Sequence, residues 1–201
     1  PKPHIRVRFF NADTQKLLQV IPLLNSLLKD YIEQGLVWKV QTDTYQRELE
    51  RYGVNSIELA ETIFFHDSSM IGGFLGMIEG DEGETVRWKF SLLAMDRFIS
   101  SFDYNMEQKY QLLRNLRDGF GAKFNINKML STQIQDKCRR YKTEIYQLLT
   151  GEVNEDDELA PIYQLVNSKS ETIQAYVEAL MKLHKNGELQ LTLDDLLSSF
   201  L

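Results

Sequence analysis

From Asn55 to Leu201 the apolar residues of this 201-residue chain recur at helical spacing, and that pattern limits most of the molecule to packed helices. Asn55 followed by Glu58 has capping-box spacing, and Leu59, Ile63 and Phe64 then mark an apolar face. Further helices are predicted at about 84–101, 106–119, 126–149, 159–168 and 170–185, with a last one running into Leu201. Two acidic stretches, Glu79 to Glu84 and Gly151 to Glu158, read as solvated loops between them.

The opening residues follow another rhythm. His4-Ile5-Arg6-Val7-Arg8-Phe9 alternates charge with apolar side chains, so residues 5–10 are predicted as a strand with Arg6 and Arg8 on one face. Asn11 and Asp13 offer caps for a helix to about Gln34, whose apolar set is Leu17, Leu18, Ile21, Leu24, Leu28 and Ile32. Gly35 ends it, and Pro22 kinks or splits it. Leu36 to Thr42 alternates enough for a second strand. The expected fold is therefore α+β: mostly helical, with a small N-terminal strand-helix-strand sheet packed on a helical bundle.

Bulk properties exclude several roles. A net charge of -6 argues against a large nucleic-acid footprint, because phosphate binding needs a clustered basic surface. Cys138 is the lone cysteine, so an intramolecular disulfide and a cysteine-based metal site are both excluded. No apolar run approaches the roughly 20 residues of a membrane-spanning helix. A reducing cytoplasm is the expectation.

Most short motifs favour plain readings. Gly72, Gly73 and Gly76 lack the strand-to-helix context of a phosphate loop and suggest close helix packing or a kink. The stretch from Gly151 to Glu158 lacks the ligand order of a calcium loop. His66, Asp67 and Ser68 are adjacent and cannot form a triad, although His66 and Asp67 could line a pocket. His184 suits a helix C-terminus, and the three histidines lie too far apart for metal spacing. Lys137, Arg139, Arg140 and Lys142 form a solvated basic face, with a contact to RNA or an acidic peptide as the sharper alternative.

Arg6, Arg8, Glu48 and Arg51 stand apart. Glu48 and Arg51 lie three residues apart beside Tyr52 and Gly53, and an acidic chain with three arginines in two short motifs suits anion binding. A purely structural salt-bridge network is the alternative.

HIRVRF and Y-x-x-E-x-x-RYG, the latter followed by Ala60-Glu61-x-x-Phe64-x-x-Asp67-Ser68, resemble the C-terminal elimination domain of class I lantibiotic dehydratases, a domain also found alone in thiopeptide biosynthesis. The resemblance covers most of the chain, so residues 1–201 are expected to be the central part of one lyase domain. It implies that an N-terminal strand region precedes Pro1 and that a catalytic histidine follows Leu201, leaving the piece inactive alone. Val54 departs from the pattern, standing where the family often has a second glycine.

In the family, a separate domain glutamylates serine and threonine of a precursor peptide using glutamyl-tRNA. The domain resembled here then expels glutamate to leave dehydroalanine or dehydrobutyrine. The residues carried over are Arg6, Arg8, Glu48 and Arg51, with no cofactor or metal in this domain. Implied partners are the glutamylated precursor peptide, the glutamylation domain, a second copy and a lanthionine cyclase, with membrane association arising through such a complex. Direct nucleic-acid contact is not implied. Two alternatives stay open: a stand-alone thiopeptide pyridine-forming cyclase, and a non-catalytic helical module that docks a peptide.

Overall fold

A computed structural model describes residues 4–78, 80, 82–151 and 158–201. The chain divides into two compact units, Pro1–Arg47 and Glu48–Leu201. The first holds α1 (Thr14–Leu18) and α2 (Val20–Glu33). Asp13 caps α1, its carboxylate accepting from the Gln15 N–H at 3.0 Å, while Asn11 accepts from the Asp13 N–H at 2.9 Å. The break at Gln19 places Pro22 in the first turn of α2, where a missing N–H costs nothing. Gly35, at φ 73°, ends α2 as expected. The Leu36 and Gly35 amides donate back to Tyr31 and Ile32 at 2.9 and 3.0 Å, closing the last turn.

The N-terminal sheet does not form: among the described residues there is no strand, and the fold is helical rather than α+β. Alternation needs a ladder partner and a covering face to become a strand. Here the Leu36 and Val37 amides are both engaged by the Tyr31 carbonyl, which removes the start of the second predicted strand. Ile5, Val7, Phe9 and Phe10 are all exposed, so the first has no buried face. The inference that a strand sets Arg6 and Arg8 on one face falls with it.

The second unit contains α3 (Leu49–Tyr52), α4 (Ile57–Leu75), α5 (Glu82–Ser100), α6 (Met106–Lys123), α7 (Lys128–Arg140), α8 (Lys142–Thr150), α9 (Ala160–Lys185) and α10 (Leu193–Phe200). Helix α4 packs on α9, which also packs on α5. These three long helices carry two cores. One gathers Ile57, Ala60 and Ile63 of α4, Phe98 and Ile99 of α5, and Ile173, Val177 and Leu180 of α9, closed by Leu112 of α6 and Leu193, Leu196 and Leu197 of α10. The other joins Met70, Phe74, Phe90, Leu93, Ile162, Tyr163 and Val166 to Leu148 of α8. Helix α4 therefore runs from the first core to the second, and α5 and α9 run back.

Several boundaries differ from the sequence reading. Helix α4 starts one residue late, because Asn55 sends its side-chain amide to the Glu188 carbonyl at 3.2 Å and leaves Ser56 at the cap position. A true capping box forms instead at Asn105 and Gln108, with both bonds at 3.0 Å. The two helices predicted over 159–185 are one, since Ser170 and Thr172 hydroxyls donate to the Val166 and Ser168 carbonyls at 3.0 and 2.7 Å. The single helix predicted over 126–149 is two, α7 and α8, meeting at Tyr141. Glycine does serve close packing in α4: a Cβ on Gly73 would touch Leu165 at 3.4 Å. Helix α5 begins at Glu82, inside the first predicted acidic loop, whose Glu79 and Asp81 lie outside the described residues. So does most of the second, at 152–157.

Candidate functional site

Four residues are too few for an autonomous helix, so α3 takes its position from what surrounds it. Tyr52 anchors it. The ring is buried, 5.3 Å from Phe64 and 5.6 Å from Phe200, and its hydroxyl donates to the Ser199 carbonyl of α10 at 2.9 Å. Gly53 follows with φ 75° and ψ 150°, a backbone that a side chain resists, and a Cβ there would meet Ser56 Oγ at 3.1 Å and Gln190 Oε1 at 3.2 Å. The next amide, of Val54, donates to the Gln190 carboxamide.

Around this anchor, Glu48 and Arg51 pair one turn apart. Arg51 Nη1 donates to Glu48 Oε2 at 2.8 Å, with side chains 51% and 36% exposed. That exposure makes the pair a weak contributor to stability, no more than about 1 kcal/mol, and leaves it open to an external anion. The guanidinium lies 5.5 Å from the Tyr52 ring centroid. Its pKa is pushed up, first by the Glu48 hydrogen bond and then by Tyr52, against a smaller opposing effect of burial. Arg51 is a permanent cation hydrogen-bonded to one carboxylate.

Of the sequence-predicted residues, Glu48 and Arg51 are brought together. Arg6 and Arg8 belong to the first unit, both exposed, with Arg8 4.9 Å from the Tyr45 ring centroid. Asp67 faces Lys169 at 3.3 Å, while His66 neighbours Phe65 and Tyr176 at 5.2 and 5.9 Å. No triad exists there. His184 lies in the last turn of α9 with Lys182 and Lys185, the cation position expected. Among the described residues no group of His, Cys, Asp or Glu could hold a metal ion, and no helix is long and apolar enough to cross a membrane.

Two features escaped the sequence reading. Lys169 is buried, its ammonium 4.4 Å from the Phe98 ring centroid, and desolvation pushes its pKa down despite Asp67 pulling it up. The signal was available: Lys169 sits at core register between Val166 and Ile173. Tyr104, also buried, donates to Asp194 at the start of α10, and burial followed by that bond raises its pKa. Tyrosine hydroxyls thus hold α10 near both ends.

The family model "Lantibiotic biosynthesis dehydratase C-term" matches residues 1–201. The chain belongs to this family. Among curated relatives it is 28% identical over 142 residues to the subtilin biosynthesis protein SpaB of Bacillus subtilis, covering 69% of this chain and 14% of that protein. It is 26% identical over 186 residues to the nisin biosynthesis protein NisB of Lactococcus lactis subsp. lactis, covering 84% of this chain and 18% of that protein. The chain thus spans less than a fifth of either relative. No solved structure matches significantly. For a lantibiotic dehydratase C-terminal chain, the motif from Ala60 to Asp67 now has a plain meaning: Ala60 lies in the core, Phe64 packs on Tyr52, and Asp67 holds Lys169.

Proposed function

We propose that this chain is part of a lyase domain that expels glutamate from glutamylated serine and threonine of a ribosomally made precursor peptide, giving dehydroalanine or dehydrobutyrine. The observation that carries the reading is the solvent-facing Glu48–Arg51 pair, 2.8 Å apart, in a chain whose whole length matches the dehydratase family. Loss of the Cα proton moves charge onto the adjacent amide oxygen; the Cβ–O bond then breaks, the Cα–Cβ double bond forms, and glutamate departs as a carboxylate. Two anions therefore need cations, and losing one preorganised donor to such a charge costs about 2.7–4 kcal/mol.

Arg51 contacts the departing carboxylate, and its planar fork suits that group. Glu48 orients Arg51, or helps move a proton. For Arg6 and Arg8, in the other unit, the family resemblance alone assigns binding of the glutamyl carboxylate or the enolate oxygen. Tyr52, the neighbour of Arg51, is itself held by the Ser199 carbonyl and the Phe200 ring of α10. Glutamylation with glutamyl-tRNA is assigned to a separate domain, covalently linked or associated, and the reaction to the bacterial cytoplasm.

The test uses the complete protein and a pre-glutamylated peptide. Arg51→Ala and Arg8→Ala each lower the elimination rate at least about a hundredfold. Elimination at the parental rate in both variants overturns the roles.

A further inference from the structure

We propose that Gln190 is a positioning residue for Arg51, acting through the backbone that follows α3. This inference rests on the lyase reading and adds a residue to its site. A single helical turn cannot hold its own axis, so the direction of Arg51 is set by whatever fixes its two ends. At the start, the Glu48 carbonyl takes the Arg51 and Tyr52 amides at 3.0 and 3.1 Å, bonds internal to the turn. The other end keeps its own bond, from the Gly53 N–H to the Leu49 carbonyl at 2.7 Å, and is also held from outside. The Val54 N–H donates to Gln190 Oε1, and the same oxygen lies 3.2 Å from where a Cβ on Gly53 would sit. Asn55 adds a bond to the Glu188 carbonyl at 3.2 Å.

The carboxamide is itself presented from a firm mount. Upstream, the Glu188 and Leu189 amides donate to the Leu183 carbonyl at 2.9 and 3.2 Å, closing α9. Leu189 packs against the core that holds Tyr52. Downstream, the Thr192 hydroxyl accepts from the Asp195 N–H at 3.1 Å and starts α10. Gln190 thus joins the end of α9 and the start of α10 to the turn that carries the cation. A shift of about 1 Å in a catalytic group can cost a hundredfold in rate, so this bond belongs to the chemistry as well as to the fold.

The experiment compares Gln190→Met, which keeps length but offers no carbonyl oxygen, with Gln190→Glu, which keeps an acceptor. Both are made in the complete protein and assayed with a pre-glutamylated peptide beside Arg51→Ala. For Gln190→Met we expect kcat for elimination to fall about tenfold or more with KM within about threefold and an unchanged melting temperature. Gln190→Glu restores most of the rate. Parental kcat in Gln190→Met, or a loss that Gln190→Glu shares in full, overturns the proposal. The Arg51→Ala arm separates the two ideas: a slow Arg51→Ala with a fast Gln190→Met removes only the positioning role, whereas a fast Arg51→Ala removes the lyase reading beneath it.

Discussion

Helices α2 and α9 both carry apolar residues at helical spacing, yet α9 buries eight residues and α2 buries none. Periodicity makes both helical. What separates them is company: α9 lies against α4 on one side and α5 on another, so its apolar stripe is covered from end to end. In α2, Ile21, Leu23, Leu27, Tyr31 and Ile32 remain exposed. Amphipathic spacing therefore specifies a helix, while burial has to be supplied by neighbours.

Core substitution is the strongest way to break that contrast. Leu180→Ala in α9, at a site with 0% exposure, is expected to cost about 2–5 kcal/mol in urea unfolding. The next effect lies where the two cores of α9 meet. Asp67→Asn leaves the buried Lys169 ammonium without its carboxylate and should cost about 1–3 kcal/mol, more than Lys169→Met, which removes the charge together with its need for a partner. Burial holds the folded-state pKa of Lys169 below the ordinary 10.5. Between those two values the unfolded chain binds the extra proton, so this lysine makes stability rise with pH across that window. Unfolding of Lys169→Met along a pH series should lack that rise, and a rise equal to the parent's would count against a desolvated lysine. The smallest effect belongs to α2: Leu27→Ala should stay within about 0.5 kcal/mol of the parent. A loss of several kcal/mol there would mean that the two helices differ less than their exposure indicates.

Much of the second unit was legible because one rule, apolar residues three and four apart, governs α4, α5, α6 and α10. Failures came where a residue answered to something distant or to a competing bond. Alternation at 5–10 and 36–42 looked like strand, but a sheet requires a partner that local pattern does not supply, and the Tyr31 carbonyl had already taken the Leu36 and Val37 amides. Asn55 looked like a cap until the Glu188 carbonyl claimed its side chain. At the candidate site the Glu48–Arg51 pair was readable from its spacing alone. Gln190 was not, since its partner Val54 lies 136 residues away. Lys169 could have been found by noticing a charge at core register.

The central claim is that Arg51 serves the elimination step and not the glutamylation before it. Its most direct test gives the complete Arg51→Ala protein an unmodified precursor peptide with glutamyl-tRNA and identifies the peptide species by mass spectrometry. The account predicts that glutamylated peptide accumulates with little dehydration. Peptide dehydrated as fast as by the parent protein, or peptide that is never glutamylated at all, would contradict it.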